Sequence, residues 1–171
     1  MKKNIRYTIF KTKWGYFGLA AIENSLTQTL LPISNRRSLE RNLLKHHPGA
    51  NFDKNLFEGL QSQIIAYFEG SCVDFDKNID IQFDDFSDFG KKVLGVCRDI
   101  RFGRTLSYGQ LAKKAGSPSA ARAIGRIMAK NQTPLIIPCH RVICSDGRLG
   151  GFSATGGTII KRKMLQLERS V

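Results

Sequence analysis

Cys139 stands in the run Pro138-Cys139-His140-Arg141-Val142, directly after the apolar stretch Leu135-Ile136-Ile137. A thiol attacks as its thiolate, which a neighbouring base or positive field must generate. His140 is the adjacent imidazole. Successive side chains often diverge, so its contact with the sulfur is expected to run through a water. Pro138 pushes Ile137 toward extended backbone, so a stiff, buried segment delivers the cysteine at a fixed place. Glu168 lies on or beside the inward stripe Ile160, Met164, Leu167 of a helix predicted over 158–168. An inward carboxylate needs a partner. His140 is the natural one, completing a nucleophile, base and acid relay. On these residues alone two plainer readings stay open: an inert core cysteine and a solvated glutamate at a helix end.

Between these residues runs Gly147 to Gly157, with five glycines in eleven positions. It matches no Walker or Rossmann spacing, and it reads as the wall of a pocket opposite Cys139. Cys139, His140 and Cys144 do not make the two paired clusters of a structural zinc site, so no metal is expected. The four cysteines, Cys72, Cys97, Cys139 and Cys144, form no disulfide framework.

The elements that must hold this centre are legible from charge and period. Residues 1–85 carry 11 Lys and Arg against 10 Asp and Glu, whereas residues 86–171 carry 16 against 4. A basic half of this kind suits a polyanion, nucleic acid first and an acidic membrane second. Six aspartates between Asp74 and Asp88 separate the two compositions, and the boundary is placed near residue 85. Residues 1–85 read as strands over 7–13, 15–22 and 27–32, followed by helices over 38–46 and 56–68. His46-His47 reads as a solvated helix end. Residues 86–171 read as mainly helical. A helix is predicted over 89–100. Ser107-Tyr108-Gly109-Gln110 has the form of a capping box, so a short helix begins at Tyr108 and ends near Gly116. Ser117-Pro118 is read as the cap and first position of the next helix, which runs to about Asn131. The pair makes a helix-turn-helix pattern. On its second helix Arg122, Arg126 and Lys130 share one stripe, and Ile124, Ile127 and Met128 the opposite one. Such a helix can lie against phosphates, with the small Ala120 and Ala121 permitting close approach.

Ile137-Pro-Cys-His-Arg-Val142, with Ser-Tyr-Gly-Gln upstream and Gly-Phe-Ser downstream, resembles the methylated-DNA–protein-cysteine methyltransferases, or O(6)-alkylguanine-DNA alkyltransferases. The likeness is dense over 86–169; the first half matches in size and coarse pattern. It implies an α/β protein with a small N-terminal mixed α/β domain (1–85). A mainly helical C-terminal domain (86–171) would carry a winged-helix-like helix-turn-helix. It implies stoichiometric, irreversible transfer of an alkyl group from the O6 oxygen of guanine to Cys139 after base flipping, without cofactor. In that reading His140 is the base, Glu168 stands behind it, and Tyr108 helps rotate the nucleotide and protonate the leaving guanine. Arg122 is the finger inserted into the stack. Asn131 links the DNA-reading helix to the active loop. Val142, Phe152 and Ser153 line the substrate pocket. Phe152 departs from the tyrosine of the best-known members, and Ala154-Thr155 lengthens the loop. With only Cys72 in the first half, the zinc site of some relatives is expected to be absent. The partner is double-stranded DNA containing alkylated guanine. No apolar run spans a bilayer and no signal core follows Lys2-Lys3, so a cytoplasmic monomer without membrane contact is expected. Two other readings use the same residues: a lesion-binding sensor without transfer, and a cysteine hydrolase built on Cys139, His140 and Glu168.

Overall fold

In the first unit, residues 5–33 form three antiparallel strands around two tight turns, with apolar and polar residues mixed in the outer two and an apolar run in the central one. A computed structural model describes residues 4–169 and divides the chain into Met1–Gln82 and Phe83–Val171. Strands β1 (Ile5–Thr12), β2 (Gly15–Ile22) and β3 (Ser25–Ile33) follow in sequence. After helix α1 (Arg36–His46), the short β4 (Asn51–Phe52) joins parallel to β1, for the sheet order β3-β2-β1-β4. Gly15 makes the first turn possible: at φ +130°, its missing Cβ would lie 2.5 Å from the Ile33 carbonyl oxygen. The period of two then sorts β2 between two layers. Tyr16 and Ala20 pack with Leu39 and Leu43 of α1, whereas Phe17 meets Phe68 of α2 (Glu58–Glu69) with ring centroids 6.0 Å apart.

Both helices begin away from their expected positions for local reasons. Asn35 accepts from the Ser38 amide at 3.0 Å and so caps α1 two residues earlier. Phe57 holds a left-handed φ of +53°, which delays α2 to Glu58. His46 is exposed as expected, but His47 is buried, and burial pushes its pKa down.

The second unit contains α3 (Asp88–Arg98), β5 (Leu106–Ser107), α4 (Tyr108–Lys114), α5 (Ala121–Ala129), a 3-10 turn (Cys139–Arg141), β6 (Val142–Ile143) and α6 (Gly157–Arg169). Ser87 caps α3. Ser107 caps α4 through a reciprocal box, accepting from the Gln110 amide at 3.1 Å while Gln110 Oε1 accepts from the Ser107 amide at 2.8 Å. The parallel pairing Leu106↔Val142 and Ser107↔Ile143 clamps the entrance of α4 to the exit of the Cys139 turn. Tyr108 and Cys139 are thereby held to the same short ribbon.

Two helix boundaries and one stripe differ from the sequence reading. The Ser117 amide donates to the Ala112 carbonyl, closing α4, and the Ala120 amide donates back to the Ser117 carbonyl at 3.0 Å. Ser117-Pro118 is therefore a connecting turn rather than a cap. Helix α5 starts at Ala121 with no side-chain cap and ends at Ala129. Its Ile124 and Met128 are buried, Ile127 is half-buried, and Arg122, Arg126 and Lys130 are exposed. On α6 the buried stripe is Lys161, Met164, Leu165 and Glu168, with Ile160 and Leu167 only half-buried. The helix is rotated relative to the expected face because two charged residues, not one, point inward.

Candidate active site

The segment before Cys139 is apolar and is held under strain. Leu135, Ile136 and Ile137 are buried, and Leu135 adopts φ +79°, a conformation costly for a bulky residue. The Ile137 amide donates to the Thr133 carbonyl at 2.9 Å, closing this bend. Asn131, just past α5, fastens it from the side. Its Nδ2 donates to the Ile137 carbonyl at 3.0 Å and to Cys139 Sγ at 3.2 Å, while Oδ1 accepts from the Thr133 amide at 3.0 Å. The helix carrying the basic stripe is thus joined directly to the sulfur.

Cys139 Sγ opens on a cavity of about 340 Å³ lined by Tyr108, Gly125, Met128, Ala129, Cys139, Gly151, Phe152 and Ser153. One wall is α5, another the glycine-rich loop. Gly150 brings that loop against Tyr108: at φ +70°, a Cβ there would lie 2.8 Å from Tyr108 Oη. Val142 is fully buried and is not among the lining residues. Its carbonyl accepts from Lys161 Nζ at 2.7 Å. Arg122 is exposed on α5, and Ala120 and Ala121 are half-buried.

Behind the sulfur, His140 Nε2 lies 2.7 Å from Glu168 Oε1, both side chains buried. Glu168 has further partners that the sequence did not reveal. Arg141 Nε donates to both carboxylate oxygens at 3.1 and 3.0 Å, Arg141 Nη2 donates to Oε1 at 3.0 Å, and the Gly103 amide donates to Oε2 at 3.0 Å. Arg141 Nη1 reaches the Ile100 carbonyl at 2.6 Å. Such forked, charge-assisted contacts favour the ionised carboxylate. Although burial raises the Glu168 pKa, His140 and Arg141 outweigh it and bring it down to about 2. Burial pushes the His140 pKa below its ordinary value against the pull of Glu168. It also pushes the Cys139 thiol up, partly countered by the Asn131 bond and the Lys161 charge. At neutral pH the resting site therefore holds a thiol and a neutral imidazole. An ionised carboxylate is matched to one guanidinium. His140 Nδ1 is buried and has no hydrogen-bond partner among the described residues, so it is the nitrogen free to take a proton. No direct His140–Cys139 side-chain bond is present among the described residues. Burial raises the Tyr108 pKa, keeping its phenol a donor.

Residues 88–170 match the family described as "6-O-methylguanine DNA methyltransferase, DNA binding domain", and residues 5–81 match "6-O-methylguanine DNA methyltransferase, ribonuclease-like domain". The chain belongs to the 6-O-methylguanine DNA methyltransferase family. It is 37% identical over 138 residues to the methylated-DNA–protein-cysteine methyltransferase of Mycobacterium tuberculosis, covering 81% of each chain. It is 36% identical over 118 residues to that of Methanosarcina acetivorans, covering 69% of this chain and 72% of the relative. The solved M. tuberculosis O6-methylguanine methyltransferase superposes with a TM-score of 0.77 at 33% identity, covering 97% of this chain and 93% of that one. A second solved structure, M. tuberculosis OGT in complex with DNA, gives 0.78 at 33% identity, covering 96% and 93%. Like its relatives in this family, the chain has an N-terminal sheet unit and a mainly helical C-terminal unit. Among the described residues no helix is long and apolar enough to cross a membrane.

Arg141 and Lys161 are the site residues that sequence reasoning missed. Lys161 does carry a signal: it lies seven residues before Glu168, two helical turns back on the same face. Arg141 offered only its place beside His140.

Proposed function

We propose that this protein repairs DNA by moving an alkyl group, methyl above all, from the O6 oxygen of guanine onto Cys139 Sγ, once per molecule. The observation that carries this reading is Cys139 Sγ in the wall of a base-sized cavity, bonded to Asn131 and backed by His140, Glu168 and Arg141. The C-terminal half, residues 86–171, is the DNA-binding and alkyl-acceptor domain. Double-stranded DNA lies along α5, with Arg126 and Lys130 on phosphates, Ala120 and Ala121 close to the groove, and Arg122 filling the gap left by the extruded nucleotide.

The chemistry follows from the resting protonation states. His140 Nδ1 takes the thiol proton across a bridging water, and the ionised Glu168 stabilises the imidazolium so formed. The thiolate attacks the methyl carbon; an S–C bond forms as the C–O bond breaks, and its electron pair stays with guanine. Tyr108 donates a proton to the departing base, and the thiol proton replaces it through His140, so guanine leaves neutral. Phe152 and Ser153 hold the base, and no cofactor enters the balance. The thioether product has no neighbour able to hydrolyse it, so each molecule reacts once. The protein acts in the cytoplasm as a monomer.

Titration with a duplex containing O6-methylguanine tests this. One methyl group is lost from DNA per protein molecule, with no further turnover at excess lesion, and Cys139→Ala removes none. Lesion binding without methyl loss in the native protein would leave only a sensor, and continued turnover would indicate a different chemistry.

A further inference from the structure

Another cavity in the second unit, of about 490 Å³, shares no lining residue with the one beside Cys139. It lies where the end of α3 and the loop after it meet β5 and the end of α4. Buried Ile100 and half-buried Val96 and Leu106 give it an apolar floor, and the exposed Arg101, Arg104 and Lys114 give it a basic rim. Asp99 is the one carboxylate in the lining, against three cations. Among the described residues the side chains of Arg101, Arg104 and Lys114 make no ion pair and no hydrogen bond. The backbone holds two of these cations together. The Arg104 amide donates to the Arg101 carbonyl at 3.1 Å, and Gly103 inside that turn takes φ +70°. Such a turn keeps its first and last residues within about 7 Å of each other. Like charges gathered in this way repel, and an anion placed among them relieves the repulsion. A volume of this order, with an apolar floor and a few polar groups converging on it, is that of a small-molecule site, roughly 300–1,000 Å³.

We propose that this cavity is a second binding site, for a small organic polyanion with the chemistry of a nucleoside di- or triphosphate. The phosphates meet the Arg101 and Arg104 guanidinium forks and the Lys114 ammonium, and the base covers Val96, Ile100 and Leu106. Phosphate alone would leave the apolar floor to water, and an apolar molecule alone would leave the three cations unanswered, so the ligand needs both parts. A concavity of this size takes one nucleotide rather than a run of DNA backbone, and none of its residues lies on α5. The site does not depend on the alkyl-transfer reading. Its loop is nevertheless bonded to the buried relay: the Ile100 carbonyl accepts from Arg141 Nη1 at 2.6 Å, and the Gly103 amide donates to Glu168 Oε2 at 3.0 Å. A ligand that grips Arg101 and Arg104 is therefore sensed at the Gly103 amide.

Amide NMR of the full chain, titrated at constant ionic strength with ADP, inorganic pyrophosphate and adenosine, tests the proposal. With ADP the amide signals of residues 96–106 and of Lys114 move and saturate, with a dissociation constant of roughly 0.1–1 mM, and Gly103 moves with them. Pyrophosphate binds the same residues more weakly, and adenosine leaves them in place. Arg104→Gln, at an exposed position, weakens ADP roughly tenfold, the scale of one charge-assisted hydrogen bond. ADP shifts that persist after the protein is saturated with undamaged duplex support a separate site. Their loss in the duplex would assign this surface to the nucleic-acid interface and overturn the proposal. Three results in the native protein would also overturn it: no movement of residues 96–106 at about 10 mM ADP, shifts centred instead on Arg122, Arg126 and Lys130, or pyrophosphate binding as tightly as ADP. Native affinity in a folded Arg104→Gln would do the same. Because ADP binding is read without any alkyl transfer, failure here leaves the alkyl-transfer reading untouched, and failure of methyl transfer leaves this site untouched.

Discussion

Replacing Glu168 by glutamine removes one charge from the centre of the buried relay and leaves its shape. In the native protein that carboxylate meets His140 Nε2, the Arg141 fork and the Gly103 amide. Its pKa falls from 4.5 to about 2 on folding. A carboxyl group whose folded pKa is depressed contributes stability above its unfolded pKa and loses it as pH falls through the folded value. At 1.36 kcal/mol per pH unit, the difference amounts to about 3 kcal/mol at pH 7, shrinking to roughly 1 kcal/mol at pH 3. Because Glu168 is buried, solvent does not screen this away. Removing one partner of a buried ion pair independently suggests about 3–5 kcal/mol. With an m-value of about 1.5 kcal/mol/M, the urea midpoint of Glu168→Gln should drop by about 2 M at pH 7. Far-ultraviolet circular dichroism, which follows the helices, is the appropriate signal. The gap between native and variant midpoints should narrow steadily between pH 5 and pH 3. Equal midpoints at pH 7, or a gap that does not change with pH, would refute the assignment of Glu168 as an ionised buried acid.

Three further outcomes follow from the same geometry. The transfer rate should be level from pH 8 to 6.5 and fall only below that, because His140 must be neutral to act as base and its pKa is depressed by burial; a fall beginning well above pH 7 in single-turnover assays would contradict this. Arg126→Ala should weaken binding to any duplex and reduce the slope of log affinity against log salt by about one, read by fluorescence anisotropy; an unchanged slope would remove Arg126 from the phosphate contacts. Gly150→Ala should slow transfer while leaving DNA binding as in the native protein, since its Cβ would meet Tyr108 Oη at 2.8 Å in a left-handed conformation; native transfer rates would show that Tyr108 need not stay where it is.

The fold was legible wherever one local rule governed the chain. The capping box at Ser107 and Gln110, the apolar runs and partial alternation of β1 and β2, and the four-residue spacing of Arg122, Arg126 and Lys130 all depend on neighbours close in sequence. The boundaries that differed were decided by backbone bonds with no side-chain signature, such as Ser117 closing onto Ala112 and Phe57 turning left-handed. The same division runs through the site. Cys139, His140 and Glu168 stood out by residue type. Arg141 and Lys161 did not, because a basic residue in a chain with 27 of them reads as surface charge. Their burial is a tertiary fact: Arg141 turns inward to Ile100 and Glu168, across 41 and 27 residues. Lys161 turns inward in the same way, to the Val142 carbonyl 19 residues earlier.

Peptide mapping after reaction with a methylated duplex tests the central claim most directly. Trypsin cleaves after Lys130 and Arg141, so Cys139 falls in a peptide, Asn131–Arg141, that holds no other cysteine, while Cys144 falls in the next. A mass gain of one methylene is expected, confined to Asn131–Arg141, at one per molecule. A methyl group on the Cys144 peptide, or on none, would contradict it.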